Sequence, residues 1–167
     1  MSQTHAYVFP PNAGMPNNPV LPVLLQTAAF VPESAQATCA RMERNGWAGT
    51  WVWTVFDFHH YHPDAHEALA VASGTARLLI GGPQGTAFTM AAGDLLILPA
   101  GTGHCRLEQD DAFQICGAYP PGQESFTTRR LEDARPEDAG LIAATPLPGS
   151  DPIAGANGPL TRFWSAL

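Results

Sequence analysis

A chain of 167 residues, 45% hydrophobic and only 14% charged, can bury a packed core and is too apolar for a disordered segment. Its formal net charge of −7, with eight basic residues in all, argues against a surface for nucleic acid or an anionic membrane. Three cysteines without CxxC spacing do not make a disulfide framework, and they point to buried thiols in a reducing, cytoplasmic setting.

Residues 1–19 carry Pro10, Pro11, Pro16 and Pro19 with Asn12, Asn17 and Asn18, and read as an irregular arm. They show neither a basic start nor an apolar run, so no secretory leader is expected. No stretch is long and apolar enough to be expected to span a membrane as a helix. Val20 to Gln26 reads as a strand, placed at a sheet edge because Pro22 cannot donate to a ladder. Pro32 to Asn45 reads as the one convincing helix. Pro32 and Glu33 suit its first turn, and Asn45-Gly46 supplies a left-handed stop.

From Thr50 the pattern turns to strands. Over Trp51 to His62, uninterrupted alternation would put Phe56, Phe58, His60 and His62 on one face. Strands are then expected at Ala68–Ser73, Ala76–Ile80, Ala87–Met90, Leu95–Leu98, His104–Glu108 and Ala112–Tyr119, separated by glycine-rich turns. Short strands at this spacing suit an antiparallel sandwich or barrel. Beyond Pro120 the chain is polar and irregular, with a short helix near Pro136 to Ala144. A tail follows whose Phe163-Trp164 should dock on the body. One domain is expected over 1–167: arm 1–19, helix and β-barrel 20–119, and strap 120–167.

The stretch His59-His60-Tyr61-His62-Pro63-Asp64-Ala65-His66-Glu67 holds four of the six histidines beside a carboxylate. Imidazole and carboxylate are the ligand types of zinc, iron, nickel or manganese. His60 and His62 should project from one face of a strand, and His59 from the other. Arg106, two residues beyond His104, should share its inward face and could clamp a carboxylate, unless it pairs with Glu108 or lies at the rim.

Two spacings stand out. The first is His60-x-His62, four residues, Glu67, six residues, Gly74; the second is Gly93, five residues, Pro99-x-Gly101, two residues, His104. They resemble the two motifs of the cupin superfamily. Asn45-Gly46-Trp47, Gly81-Gly82, Gly117-Ala118-Tyr119-Pro120 and the proline-rich tail narrow the resemblance to YjlB-like bacterial cupins. The general motifs differ at Thr54, where glycine is usual, and at Glu108, where asparagine often stands.

The resemblance implies an all-β fold, a cupin-type jelly-roll β-barrel with one N-terminal helix and irregular arms. It implies one divalent metal ion per chain, of iron, zinc, nickel or manganese, on His60, His62, Glu67 and His104. His66 could stand in for Glu67 if the loop register differs, and the reading preferred over that is support of the ligands from behind. Three imidazoles and one carboxylate would leave open positions on a six-coordinate ion. The expected function is a metal-dependent enzyme acting on a small oxygenated or carboxylate-bearing molecule, as an oxygenase or a Lewis-acid isomerase or lyase. Glu108, Arg106 and His66 are the candidate catalytic side chains. The alternatives are a binding protein without catalysis and a structural barrel pinned by its metal. A small-molecule ligand in the barrel and a homodimer are the expected partners.

Overall fold

The computed structural model describes residues 1–165. Eleven strands form two antiparallel sheets. In chain order they are β1 (Gln3–Tyr7), β2 (Val23–Thr27), β3 (Ala48–Trp53), β4 (His60–Tyr61), β5 (Glu67–Ser73), β6 (Thr75–Ile80), β7 (Thr86–Ala91), β8 (Leu95–Leu98), β9 (His104–Gln109), β10 (Gln114–Tyr119) and β11 (Arg129–Arg130). The larger sheet runs β1-β2-β8-β5-β10-β3 and the smaller β11-β4-β9-β6-β7. Neither sheet closes on itself, so the expected barrel is two facing open sheets with free edges at β1, β3, β11 and β7.

Period-two alternation builds two cores from one sheet. In β5, Leu69 and Val71 point toward the smaller sheet and meet Leu78, Ile80, Phe88 and Met90. The alternate Ala68, Ala70 and Ala72 point the other way, where their small side chains accept Met42, Trp47 and Trp164. Both faces of the larger sheet are therefore covered, which explains why β5 and β8 are apolar at successive positions.

The helix covering that outer face is α1 (Ala35–Arg44). It starts later than the sequence suggests, because Ser34 Oγ accepts from the Ala37 N–H at 3.1 Å and caps it. Glu33 is left outside, paired with Arg41 at 2.8 Å. The stop is where expected: Gly46 adopts φ +87°, its N–H reaches the Glu43 carbonyl, and the Trp47 N–H reaches that of Met42. Those two bonds make a Schellman closure.

Four other expectations are corrected. The arm is not wholly irregular, since β1 pairs in register with β2. With β1 on one flank and β8 on the other, β2 is interior, and Pro22 lies just before it. The short helix expected near Pro136 to Ala144 is present as α2 (Asp138–Ala144), but the tail adds a helix that was not expected, α3 (Pro159–Ser165). Finally, the long strand expected over Trp51 to His62 breaks after Trp53, because β3 belongs to the larger sheet and β4 to the smaller. The crossing segment 54–59 is held by the Arg106 N–H on the Phe56 carbonyl at 2.9 Å.

The tail docks through Trp164, which is buried and donates from Nε1 to the Pro22 carbonyl at 3.0 Å; Phe163 stays half-exposed. Asp151, fully buried, organises the approach by accepting from the Ile153, Ala154 and Leu160 amides and from Gln26 Nε2. Residues 166–167 lie outside the described part of the expected strap.

Candidate metal centre

The break at 54–59 delivers the chain to β4 with His60 directly opposite His104 of β9, their ring centroids 4.0 Å apart. His62 follows one side-chain repeat later. Ligand nitrogens of His60, His62 and His104 lie within 4.8 Å of one another, and all three residues are buried. The three histidines are thus positioned to bind a metal ion. Glu67 opens β5 on the inward side, and its Oε2 lies 3.2 Å from His104 Nε2 and 3.4 Å from His62 Nε2.

The tautomers follow from the outer contacts. Nδ1 of His60 lies 3.0 Å from the Phe58 carbonyl, Nδ1 of His62 3.0 Å from that of Thr127, and Nδ1 of His104 3.0 Å from that of Thr102. A carbonyl can only accept, so each Nδ1 carries the proton and each Nε2 turns inward. Asp64 braces the His62 contact, accepting from the Thr127 N–H at 2.9 Å and its hydroxyl at 2.8 Å. Such outer partners are what a ligating histidine needs to be held in orientation.

The inward groups demand a cation. Glu67 Oε2 is buried and finds no hydrogen bond among the described residues, while Oε1 accepts from the Tyr119 hydroxyl at 3.0 Å. Burial alone would raise the Glu67 carboxyl, but His62 and His104 beside it hold it well below the usual carboxylate range. Burial likewise lowers His62, yet the Glu67 charge outweighs it and leaves that imidazole raised. His60 is driven down to about 2, chiefly by burial and then by His104. A buried carboxylate oxygen facing imidazole lone pairs is matched either by a proton on His62 or by a metal ion. The donor set fits a borderline divalent ion.

A cavity of about 250 Å³ opens above this cluster. Its wall includes Trp51, Trp53, Phe56 and Phe126 together with Tyr119. Sequence reasoning missed Trp51 and Phe126. Trp51 donates from Nε1 to Tyr119 Oη at 2.8 Å, and Phe126 packs 4.5 Å from the His62 ring. The sequence signal for Trp51 was Gly117, its cross-strand partner, whose missing side chain leaves room for the indole.

The three expected catalytic side chains are not brought to the cluster. His66 points to the opposite face of β5, packed 4.9 Å from the Trp164 ring, and burial pulls it down to about 4. Its Nδ1 accepts the Ala100 N–H at 2.9 Å, which pins the turn leading to His104. It supports the site without facing it, so it cannot replace Glu67. Glu108 is exposed opposite Arg77 and lines a separate shallow depression. Arg106 donates from Nε to the Val55 carbonyl at 3.1 Å and ties down the crossing segment. His59 is half-buried, and Phe56, partly exposed at the cavity mouth, keeps its ring 5.1 Å from that of His60 although the segment 54–59 is not a regular strand.

With this geometry established, likeness to known proteins can be placed. Residues 54–112 match the family described as the Cupin domain. Over 162 residues, 97% of each chain, the protein is 33% identical to the uncharacterised protein YjlB of Bacillus subtilis (strain 168). Among solved structures it is similar to an acireductone dioxygenase of Bacillus anthracis with a cadmium ion in its active centre. That likeness is 22% identical, covers 54% of this chain and 60% of the other, and has a TM-score of 0.39. It is also similar to an oxalate decarboxylase of Bacillus subtilis, 21% identical over 66% of this chain and 23% of the other, TM-score 0.36. The chain spans under two thirds of either solved structure.

Proposed function

The chain belongs to the YjlB-like branch of the cupin family, and from that premise we propose that it is a metal-dependent enzyme acting on a small oxygenated molecule. In this reading His60, His62, Glu67 and His104 hold one divalent ion of the iron, zinc, nickel or manganese kind. The observation that carries it is the convergence of three imidazoles and an orphaned carboxylate oxygen on one buried point beneath an open cavity. A purely structural ion would have no use for the opening.

When bound, such an ion polarises a carbonyl or enolic oxygen as a Lewis acid, or supports oxygen chemistry if it is iron. The protein side chains do the rest. Phe58, Thr102 and Thr127 carbonyls keep each imidazole oriented. Tyr119 holds Glu67 Oε1, which leaves Oε2 as the inward ligand. Trp51, Phe126 and Leu69 exclude bulk water from the base of the cavity. One carboxylate on a divalent ion leaves a net +1 that favours an anionic oxygen. An assembly of two copies and a cytoplasmic setting belong to the same proposal, from the likeness to small cupins and the three free cysteines.

The test is to load the protein separately with ferrous iron and with manganese, then incubate each with a panel of small hydroxy and oxo acids in air and under argon. Metal-dependent consumption of a panel member supports an enzyme, and its dependence on air separates oxygenase from Lewis-acid chemistry. Tight retention of a panel member without turnover would replace the enzyme with a binding protein.

A further inference from the structure

With the proposed ion bound, the cavity above the cluster would carry positive charge at its histidine end alone. No lysine or arginine lines it. The nearby guanidinium groups are engaged elsewhere: Arg106 with the Val55 carbonyl, Arg129 with Asp138, and Arg130 over the Phe58 ring at 3.8 Å. The few polar wall groups are neutral and mostly engaged. The Tyr119 hydroxyl lies between Trp51 and Glu67, Thr54 bonds Gln109, and Thr128 Oγ1 faces His62 Nδ1. What remains is an apolar wall of Trp51, Trp53, Val55, Phe56, Leu69 and Phe126.

That distribution selects a ligand. A second carboxylate or a phosphate reaching along the wall would lie against indole and phenyl faces without a cationic partner and gain nothing from them. A flat apolar body would stack there instead. At about 250 Å³ the space is small beside ordinary ligand pockets, enough for one ring and a short substituent. We propose that the cavity takes a small aromatic molecule with a single chelating pair of oxygens, the oxygens toward the histidine cluster and the ring against Trp53 and Phe126. This rests on the metal centre proposed above and narrows its substrate class.

The experiment uses the full chain loaded with ferrous iron under argon, its iron content measured first. 4-Nitrocatechol is titrated by its absorbance change on chelation, and malonate is titrated in competition. The expected result is binding of 4-nitrocatechol at least about tenfold tighter than of malonate. Trp53 is more than half exposed, so Trp53→Ala leaves the fold and iron content intact. It should weaken 4-nitrocatechol about fivefold without changing malonate, and Trp53→Phe should restore most of the loss. Malonate binding as tightly as 4-nitrocatechol, or Trp53→Ala leaving 4-nitrocatechol unchanged, overturns the inference while the metal centre stands. Failure to take up iron or any other divalent ion overturns the metal centre and this inference together.

Discussion

The Tyr119 hydroxyl donates to Glu67 Oε1 at 3.0 Å and accepts from Trp51 Nε1 at 2.8 Å. A residue at the end of β10 thereby decides which oxygen of a β5 carboxylate faces the histidines. Tyr119→Phe removes that decision without emptying the space. We predict a stable protein whose affinity for its metal falls about 10- to 100-fold, measured by competition with a chromophoric chelator. Unchanged affinity would mean that Glu67 is held by other contacts.

Metal uptake should release protons. In the metal-free protein burial lowers His62, but the Glu67 charge beside it prevails and raises its pKa, whereas His60 stays neutral down to about 2. A ligating imidazole must give up its inward proton, so binding should release a proton from the share of chains that holds His62 protonated, a share that falls as pH rises. The sign is that affinity rises with pH until His62 is deprotonated in the free protein. Calorimetry in buffers of different ionisation enthalpy reads the number directly.

Gly117 lies opposite Trp51 across β10 and β3, and a Cβ there would fall inside the indole. Gly117→Ala must displace the Trp51 ring from Tyr119. A stability loss of roughly 1–3 kcal/mol is expected from the overpacking. A weaker metal site should accompany it, because the Trp51–Tyr119 bond is lost. Denaturant unfolding and metal titration on the same variant test both.

Asp138 ties β4, which carries His60 and leads into His62, to the C-terminal region. It accepts from the Tyr61 hydroxyl at 2.6 Å and from Arg129 Nε at 2.8 Å while fully buried. Burial would raise its carboxyl, but these partners prevail and depress it. A depressed folded value means that the stabilisation is complete above the ordinary carboxyl value near 3.8 and is lost as pH falls through the folded value. Asp138→Asn should cost roughly 3 kcal/mol at neutral pH. It should also flatten the acid limb of the stability curve, as urea midpoints between pH 2 and 5 would show (about two units around that value).

The convergence of His60, His62, Glu67 and His104 was legible because the two motif spacings set them on strand ends and a tight turn, and so was the helix stop at Asn45-Gly46, because only glycine adopts its φ readily. The sequence misled where tertiary choices prevail over local pattern. Alternation cannot reveal that the chain leaves one sheet after Trp53 and enters the other at His60. Nor could spacing place His66, since a one-residue offset from Glu67 puts it on the opposite face against Trp164. Arg106 was placed correctly on the His104 strand, but its guanidinium is held by the Val55 carbonyl, a contact created by the crossing segment. Trp51 and Phe126 enter the site from β3 and from the loop before β11, and no spacing links them to the histidines.

The most direct test of the account is the metal content per chain of untagged wild-type protein and of His62→Ala, purified in parallel and measured by elemental analysis. The account predicts close to one divalent transition ion per wild-type chain, within about a fifth, and near-complete loss in the variant with the fold retained. Wild-type protein that carries no metal and binds none when iron, zinc, nickel or manganese is added would contradict it.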